Sequence, residues 1–201
     1  MIFTVAIDGP AAAGKGAIAR ALAAEFGFAH LDTGLLYRAV AAKGGDPVAA
    51  AKTLTAADLT QPDLRSLATG QAASRIAVDP QVRAALTAFQ RRFAKAPGGA
   101  VLDGRDIGTV ICPKAQVKFY ITARPEIRAR RRWLELGGDP AQVLAEVQER
   151  DRRDMGRSEA PLRPAVDAVV LDTSDLTVAA AIAAATAVVR AKLHLGLAQS
   201  P

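Results

Sequence analysis

Thr4-Val5-Ala6-Ile7-Asp8 is followed directly by Gly9-Pro10-Ala11-Ala12-Ala13-Gly14-Lys15-Gly16-Ala17. The first five residues form a short, β-branched run that is typical of a buried strand. The glycines and small residues after it predict a loop whose backbone N–H groups can converge on an anion. The residues from Gly16 to Phe26 have helix-forming composition, so the loop is expected to open a helix. A helix N-terminus, backbone N–H groups without intrahelical partners and one lysine together predict a site that binds a polyphosphate.

The spacing of this loop is that of a P-loop. Four residues separate Gly9 from Gly14, and Lys15 follows immediately, as the motif requires. The alternative interpretation is a tight strand–helix turn with a solvated lysine. One feature departs from the motif, because Gly16 and Ala17 stand where a Ser or Thr would help to hold Mg²⁺. We therefore expect phosphates, water and carboxylates from elsewhere in the chain to hold that ion.

Composition predicts one soluble domain with an anionic partner. The chain has 201 residues, half of them apolar, and a net charge of +6, which favours binding of a nucleotide or a nucleic acid. Its single cysteine, Cys112, excludes an internal disulfide and is typical of a reducing cytosol. No signal peptide is evident, and the uncharged stretch Leu176 to Val189 is too short to span a bilayer. We expect a soluble, cytoplasmic protein without a membrane partner.

Strands and helices are predicted to alternate along the chain. Strands are expected near residues 4, 29, 101, 118 and 169, which predicts a parallel α/β sandwich. Residues 47–76 lack strand alternation and predict short helices, and another helix is expected from 81 to about 94. Two arginine-rich helices, 125–136 and one starting at 141, flank a glycine turn. They predict a mobile cover or, alternatively, a solvated hairpin with intrahelical ion pairs. A final helix, 178–193, is apolar on most sides and is expected to pack on the sheet.

Charged residues follow one of the buried strands. Ala100–Leu102 runs into Asp103, Gly104, Arg105 and Asp106. In open α/β sheets ligands bind at the carboxyl edge of the strands, and charges there are costly to bury unless they are paired or bound. The chain has no nucleophile–base pair and no metal-ligand cluster in its sequence. Many arginines and a few carboxylates at strand ends favour phosphoryl transfer between two anionic substrates.

Several motifs resemble the bacterial cytidylate kinase family, a group of P-loop nucleoside monophosphate kinases. They cover Ile7 to about Thr173, and the motifs are Ile7-Asp8-Gly9-Pro10 with Gly14-Lys15-Gly16, Leu31-Asp32-Thr33-Gly34 with Tyr37-Arg38, Leu102-Asp103-Gly104-Arg105-Asp106-Ile107-Gly108-Thr109, and Glu149-Arg150-Asp151 continuing to Asp154, Arg157 and Ala160-Pro161-Leu162. The resemblance implies ATP-dependent, Mg²⁺-requiring phosphorylation of CMP and dCMP to CDP and dCDP.

The resemblance also implies an organisation of the chain. The fold would be a P-loop NTPase-type three-layer sandwich, with a five-stranded parallel sheet flanked by helices, in a single domain spanning residues 1–201. Its parts would be a core (1–42, 95–125 and 165–195), a helical monophosphate-binding region (43–94) and an arginine-rich helical lid (126–160). The protein would be a monomer with no stable nucleic-acid partner.

The same resemblance assigns roles to individual residues. The ATP phosphates would be bound by Gly9, Pro10, Ala11, Ala12, Ala13, Gly14, Lys15, Gly16 and Ala17. Arg83 and Asp106, helped by Ser74, would bind the cytosine edge, which offers an acceptor to arginine and an amino donor to a carboxylate. Arg150 and Asp154 would bind the sugar, and Asp32 and Asp103 would contact Mg²⁺-bound water. The acceptor phosphate would be bound by Thr33, Arg38, Arg105 and Arg157. The transferring phosphoryl group would be stabilised by Lys15, Arg128, Arg131 and Arg157.

Two departures keep other functions open. Ala17 leaves the metal arrangement undetermined, and the stretch from Gly44 to Ser74 is too helical in character for the small antiparallel sheet that family members usually carry. A kinase of another monophosphate, UMP or AMP, is the nearest alternative, although adenylate kinases continue the Leu-Asp-Gly strand end with Pro-Arg rather than Arg105-Asp106. An NTP-binding nucleic-acid-binding protein and a P-loop fold that has lost activity are the other two.

Overall fold

A computed structural model describes residues 2–55 and 57–198. The first half of the chain contains β1 (Thr4–Asp8), α1 (Lys15–Phe26), β2 (Ala29–Asp32), α2 (Thr33–Lys43), α3 (Pro47–Lys52), a 3₁₀-helix (Ala57–Thr60), α4 (Leu67–Ile76) and α5 (Pro80–Phe93). The second half contains β3 (Ala100–Gly104), a π-helix (Ile107–Ile111), β4 (Val117–Thr122), α6 (Pro125–Leu136), α7 (Pro140–Met155), β5 (Val169–Asp172) and α8 (Val178–Ala198).

The strands form one parallel sheet in the order β2-β3-β1-β4-β5. This confirms the predicted five-stranded parallel sheet. The register pairs Asp8 with Gly104 and Asp32 with Asp103. The carboxyl ends of β1, β2 and β3 therefore meet at one edge, which is where ligands bind in open α/β sheets.

Helices cover both faces of the sheet, as predicted. On one face, Ile18 and Leu22 of α1 pack with Val5, Ile7 and Phe119 of the sheet and with α8. On the other face, α2, α3 and α5 cover Ala6 and Leu102 through the side chains of Leu36, Val40, Ala51, Val82 and Leu86. Burial of aliphatic side chains on both faces makes β1 and β3 fully buried strands.

The segment between α2 and β3 is helical. In its described residues, 44–55 and 57–99, there is no strand, which confirms the prediction that the small antiparallel sheet is missing. Aspartates at Asp46 and Asp79 accept hydrogen bonds from the first amides of α3 and α5, and Pro47 and Pro80 occupy the first helical position of each. These are strong helix-starting signals.

The α6–α7 hairpin has a small hydrophobic core of its own. Ala129, Val143 and Val147 are buried there, with Trp133 and Leu67 of α4 packed against them. The hairpin therefore rests on the segment between α2 and β3. The intrahelical ion pair predicted for the hairpin is also present, since Glu149 lies 3.6 Å from Arg153.

The prediction for the last helix requires correction. α8 extends to Ala198, beyond the expected end at 193, and within residues 178–195, whose burial is described, it buries only the stripe Ala181, Ala185 and Val189. Its window Val178–Leu195 has a mean hydropathy of 1.5 and is long and apolar enough, by length and composition alone, to cross a membrane. The buried stripe packs in the core formed with α1 and the sheet. An alanine-rich helix that packs one face on a sheet can also be this long and this apolar.

Candidate active site

The P-loop adopts the conformation that its glycines allow. Gly9 has φ +148° and Gly14 has φ +94°, and a Cβ at Gly9 would lie 1.9 Å from the carbonyl oxygen of Ile121. Only glycine fits there without movement of the backbone. Ala12 also has a positive φ, 58°, which is strained for a residue with a Cβ.

Lys15 is buried at the start of α1. Its Nζ donates a hydrogen bond to the carbonyl oxygen of Pro10 at 2.8 Å. Burial and, to a smaller extent, the charge of Arg105 lower the pKa of Lys15 to about 7, although Asp103 opposes the shift. An ammonium in this position is poorly compensated by the protein, so a bound polyphosphate would restore its charge.

The P-loop opens into a strongly charged cavity of about 230 Å³, here named the P-loop cavity. It gathers predicted site residues from four parts of the chain, and these are Asp32, Arg38, Asp103, Arg105 and Arg150. Three further arginines, which the sequence did not single out for the site, also line it: Arg20, Arg65 and Arg132. The excess of arginine over carboxylate fits an anionic occupant.

Asp154 of α7 collects arginines from several elements, and we name this group the Asp154 cluster. Its carboxylate accepts hydrogen bonds from Ser74 Oγ (2.8 Å), Arg105 Nε (2.8 Å) and Arg157 Nη2 (2.5 Å), and Arg150 Nε lies at 3.7 Å. Burial raises the pKa of Asp154, but the three arginines outweigh burial and hold its pKa below the usual range. The carboxylate is therefore ionised at neutral pH.

A second, narrower pocket lies beside this cluster, and we name it the inner pocket. Its volume is about 40 Å³, and it is lined by Thr33, Gly34, Tyr37, Ala73, Ser74, Ala77, Arg83, Gly104, Arg105, Asp106, Arg150, Asp154 and Arg157. Arg83 and Asp106 form a buried ion pair within it. Burial raises the pKa of Asp106, although Arg83 opposes the shift. These two residues are thus brought together as expected for a pair that binds a nucleobase edge.

Arg38 is held by the chain between the 3₁₀-helix and α4. Its Nη1 donates to the carbonyl oxygens of Leu64 (2.5 Å) and Ser66 (3.1 Å). The next residue, Arg65, forms an ion pair with Asp32 at 3.0 Å, and its carbonyl accepts from Arg132 Nη2 at 2.6 Å. This turn, residues 64–66, therefore joins α2, α4 and α6 beside the P-loop cavity.

The two arginines predicted for the lid occupy different places. Arg128 is buried, forms an ion pair with Asp151 (2.5 Å) and donates to the carbonyl of Ala11 in the P-loop at 3.3 Å. Arg131 instead donates to Thr173 Oγ1 at 3.0 Å and lines a separate small cavity with Ala13 and Gly14. The structure therefore places Arg128 against the P-loop but does not bring Arg131 to the P-loop cavity.

Two carboxylates were expected to contact Mg²⁺-bound water. Asp32 and Asp103 face each other across β2 and β3 and both line the P-loop cavity. Each already has a partner, because Asp32 pairs with Arg65 and Asp103 lies 2.8 Å from His30 Nε2. In the part of the chain that the structure describes, no group of three or more His, Cys, Asp or Glu side chains could hold a metal ion by itself. This donor set fits outer contacts to a metal that is bound mainly by phosphate and water.

The sequence did not single out two residues that hold other site residues in place. Asp151 holds Arg128, and Arg65 holds Asp32, and both follow from tertiary contacts that no spacing along the chain predicts. Asp8 was quoted as the end of a strand and within a motif, without a role of its own, yet a carboxylate at the end of an apolar strand is itself a signal.

Comparison with known proteins identifies the family to which the chain is similar. The family model described as cytidylate kinase matches residues 5–46 and 46–191. A cytidylate kinase from Cereibacter sphaeroides is 67% identical over 190 residues, which cover 90% of this chain and 92% of the relative. A cytidylate kinase from Xanthobacter autotrophicus is 56% identical over 202 residues, covering 94% and 97% of the two chains.

Solved structures share the fold at low identity. An uncharacterised protein from Eubacterium ventriosum matches with a TM-score of 0.60 at 14% identity, covering 94% of this chain and 98% of that chain. A gluconokinase from Sinorhizobium meliloti matches with a TM-score of 0.51 at 15% identity, covering 99% and 98%. Taken with the family model and the identity to curated relatives, the P-loop cavity and the inner pocket lead to one conclusion: this chain belongs to the cytidylate kinase family.

Proposed function

We propose that this protein transfers the γ-phosphoryl group of ATP to CMP and dCMP, giving CDP and dCDP. The observation that carries the proposal is the meeting of two anion-binding sites. The P-loop cavity and the inner pocket share Gly34, Gly104, Arg105 and Arg150 as lining residues. A donor phosphate in the first and an acceptor phosphate at the mouth of the second would face each other across Arg105 and Arg150. Membership of the family supports the same assignment.

On the donor side, the P-loop binds the ATP phosphates. Its backbone amides and the N-terminus of α1 cradle the anion, and Lys15 exchanges the Pro10 carbonyl for phosphate oxygens. Asp32 and Asp103 would orient water bound to an Mg²⁺ ion that the phosphates would hold. That ion, when bound, neutralises charge on the phosphates as a Lewis acid.

On the acceptor side, the inner pocket binds the nucleoside monophosphate. Arg83 and Asp106 separate from each other to bind the acceptor and the amino group of cytosine, with Ser74 beside them, and Arg150 and Asp154 bind the sugar. The Nε atoms of Arg150 and Arg157 are buried and make no hydrogen bond among the described residues. Buried donors of this kind favour a ligand oxygen as the missing partner.

Catalysis consists mainly of positioning and charge neutralisation. Thr33, Arg38, Arg105 and Arg157 bind the acceptor phosphate, one of whose oxygens attacks the γ-phosphorus in line. The new P–O bond forms as the bond to the β-phosphate oxygen breaks, and ADP leaves. Lys15, Arg128 and Arg157 stabilise the equatorial oxygens. Arg131 donates to the carbonyl oxygen of Thr173 in this structure. It would contact the phosphoryl group only after the α6–α7 hairpin moves.

The chain is organised to exclude water during this step. We propose one domain over residues 1–201 with a core (1–42, 95–125 and 165–195), a monophosphate-binding region (43–94) and a lid (126–160). Contacts between the last two support closure, since Arg153 donates to Gln71 at 3.0 Å and Ser74 to Asp154 at 2.8 Å. A pocket of about 40 Å³ must open to admit a nucleotide. We expect a monomeric, cytoplasmic enzyme without a nucleic-acid partner.

A coupled assay of ADP release tests the proposal. ATP and Mg²⁺ are supplied with CMP, dCMP, UMP, AMP or GMP in turn. Strong activity with CMP and dCMP alone is expected. Activity spread over several monophosphates would retain the kinase assignment but contradict cytosine selection by Arg83 and Asp106. Absence of activity with all five would overturn the proposal, and steeply salt-dependent RNA binding would then favour a nucleic-acid-binding protein.

A further inference from the structure

Asp8 is the last residue of β1 and precedes the first glycine of the P-loop. It is 2% exposed. Its two carboxylate oxygens accept hydrogen bonds from the consecutive amides of Ile107 and Gly108, each at 2.7 Å. Those amides are the first two of the π-helix that follows Arg105 and Asp106. A carboxylate from the donor side of the site is therefore attached to the start of the segment behind the inner pocket.

This arrangement differs from three other helix starts in the chain, although Asp32 before α2 likewise makes no capping hydrogen bond. Asp46, Asp79 and Asp139 each occupy the residue before a helix and accept amide hydrogen bonds with their own side chains. Asp106 occupies the same position before the π-helix, but its side chain caps nothing. Asp8 accepts the two amides in its place, which leaves the Asp106 carboxylate free to pair with Arg83.

We propose that Asp8 is a positioning residue for base selection, because it replaces Asp106 as the cap of the π-helix and so keeps the Asp106 carboxylate directed into the inner pocket. The inference rests on the proposed function, in which Asp106 binds the amino group of cytosine. An aspartate at a helix start ordinarily turns back to its own amides. Because the amides of Ile107 and Gly108 are already occupied, fewer local donors compete with Arg83 or the base for the Asp106 side chain.

The surroundings of Gly108 fix this contact from the other side. A Cβ at Gly108 would lie 3.2 Å from Asp8 Oδ2 and 3.2 Å from Lys118 Cδ, so the glycine is packed between the two side chains. Lys118 in turn donates to the carbonyl of Pro113 (2.6 Å) and to Asp167 (2.8 Å). The start of the π-helix is thus held between β1 and β4. Burial raises the pKa of Asp8 to about 6, with the two amides opposing the shift, so at pH 7.5 the carboxylate is ionised and can accept both hydrogen bonds.

The test compares substrate preference in matched variants at pH 7.5. Asp8→Asn keeps the volume but turns one acceptor into an NH₂ group that faces a backbone N–H. Asp106→Asn tests the proposed role of Asp106 itself, since an amide can donate to the O4 of uracil. Asp46→Asn, which makes the same substitution at an ordinary cap outside both cavities, is the control. For each variant, kcat and KM for CMP, UMP and ATP are measured.

The ratio of kcat/KM for CMP over UMP is the decisive measurement, because a purely structural role of Asp8 would leave that ratio unchanged. We expect Asp106→Asn to lower the ratio of kcat/KM for CMP over UMP by about 10-fold or more, as for loss of one paired contact to a base edge. Asp8→Asn should lower the ratio by about 3- to 10-fold, with a higher KM for CMP, and the double variant should be no worse in ratio than Asp106→Asn alone. Asp46→Asn should leave the ratio unchanged.

The outcomes separate the inference from the proposed function. An unchanged ratio in Asp106→Asn would overturn the role of Asp106. A reduced ratio in Asp106→Asn with an unchanged ratio in folded Asp8→Asn would overturn the role of Asp8. If Asp8→Asn does not fold, Gly108→Ala serves instead, because its methyl group crowds the same carboxylate at 3.2 Å. It should lower the ratio in the same direction, and an unchanged ratio in that variant would contradict the inference.

Discussion

Arg105 Nε donates to Asp154 Oδ2 at 2.8 Å, which joins the end of β3 to the middle of the Asp154 cluster on α7. The two residues are 49 positions apart in the chain. The contact fixes one arginine that lines both the P-loop cavity and the inner pocket. Removal of the carboxylate would therefore affect both the stability of the fold and the geometry of the shared wall.

Asp154→Asn should strongly destabilise the protein. Asp154 is 1% exposed, and breaking a buried ion pair by removing one partner costs about 3–5 kcal/mol, because the remaining charges lose their compensation. Urea unfolding at pH 7 measures the change. The exposed pair of Arg124 and Asp175 offers the control, since Asp175→Asn should change little.

The pH dependence of that loss has a definite sign. The pKa of Asp154 is depressed below its ordinary value of 3.8, so its stabilisation is present above that value and is lost as pH falls through the folded-state pKa. The difference in unfolding free energy between wild type and Asp154→Asn should therefore narrow at acidic pH. A difference that stays constant down to the acid transition would contradict the assigned charge state.

ATP binding should take up a proton at Lys15. Burial lowers the pKa of Lys15 to about 7, so at pH 8 much of it is neutral in the empty site, and phosphates would restore the charge. Titration calorimetry of ATP in two buffers of different ionisation enthalpy measures the uptake. Lys15→Met should abolish it, while Lys43→Met, on the surface, should not.

The lowered pKa of Lys15 also predicts how the free energy of unfolding of the ligand-free protein depends on pH. Between about 7 and 10.5 the unfolded chain binds more protons at this residue than the folded one, so the free energy of unfolding should rise with pH across that window. Lys15→Met should remove this rise. Equal pH slopes in the two proteins would show that the lysine is fully charged in the fold.

Ala12→Gly should be tolerated unusually well in the P-loop. Ala12 has φ 58°, which costs a residue with a Cβ roughly 1 kcal/mol. Glycine removes that strain but adds about 0.4–1 kcal/mol of unfolded-state entropy, so the net change should be close to zero or slightly stabilising. Ala13→Gly, next to it, removes a buried methyl group from a residue with ordinary φ. That control should lose about 1 kcal/mol or more, and equal losses in both variants would contradict the strain.

Local sequence signals predicted the scaffold because they depend on neighbours in the chain. The β-branched run before Gly9 gave β1, and Pro47 and Pro80 gave two helix starts. The extension of α8 to Ala198 was missed because the helix continues through Gly196, a residue that ordinarily indicates a helix end. The π-helix at Ile107–Ile111 was missed because its amides are capped by Asp8, which is remote in sequence.

The site was predictable as a set of residues but not as a set of partners. Arg105, Arg150, Asp154 and Arg157 were all expected, and the structure brings them together. The packing of α6 determines two contacts that the sequence did not predict. Asp151 binds Arg128, and Thr173 holds Arg131 away from the P-loop cavity. Charge and spacing do not determine which of several nearby carboxylates an arginine selects.

Ala17→Ser should reduce the Mg²⁺ requirement. Ala17 lines the P-loop cavity next to Gly16, the position at which P-loops usually place a hydroxyl ligand. A serine there adds one oxygen ligand to an ion otherwise held by phosphate and water, so half-maximal activity should occur at several-fold lower free Mg²⁺. Ala24→Ser, on the exposed side of α1, is the control. The hypothesis of a missing ligand fails if the two variants have the same Mg²⁺ dependence.

Gly70→Ala should make the protein more stable and a poorer enzyme. Gly70 lies inside α4, where alanine is favoured over glycine by about 1 kcal/mol in helix propensity. Its Cβ would lie 2.8 Å from Arg38 Nη2 and 3.1 Å from Arg150 Nη1, so both guanidinium groups must move. Since these arginines are proposed to bind the acceptor phosphate and sugar, KM for CMP should rise by about 10-fold, with little change in KM for ATP. Thermal unfolding and steady-state kinetics of the same variant measure both effects. A rise in stability without a rise in KM for CMP would show that neither arginine depends on its position above Gly70 to bind substrate.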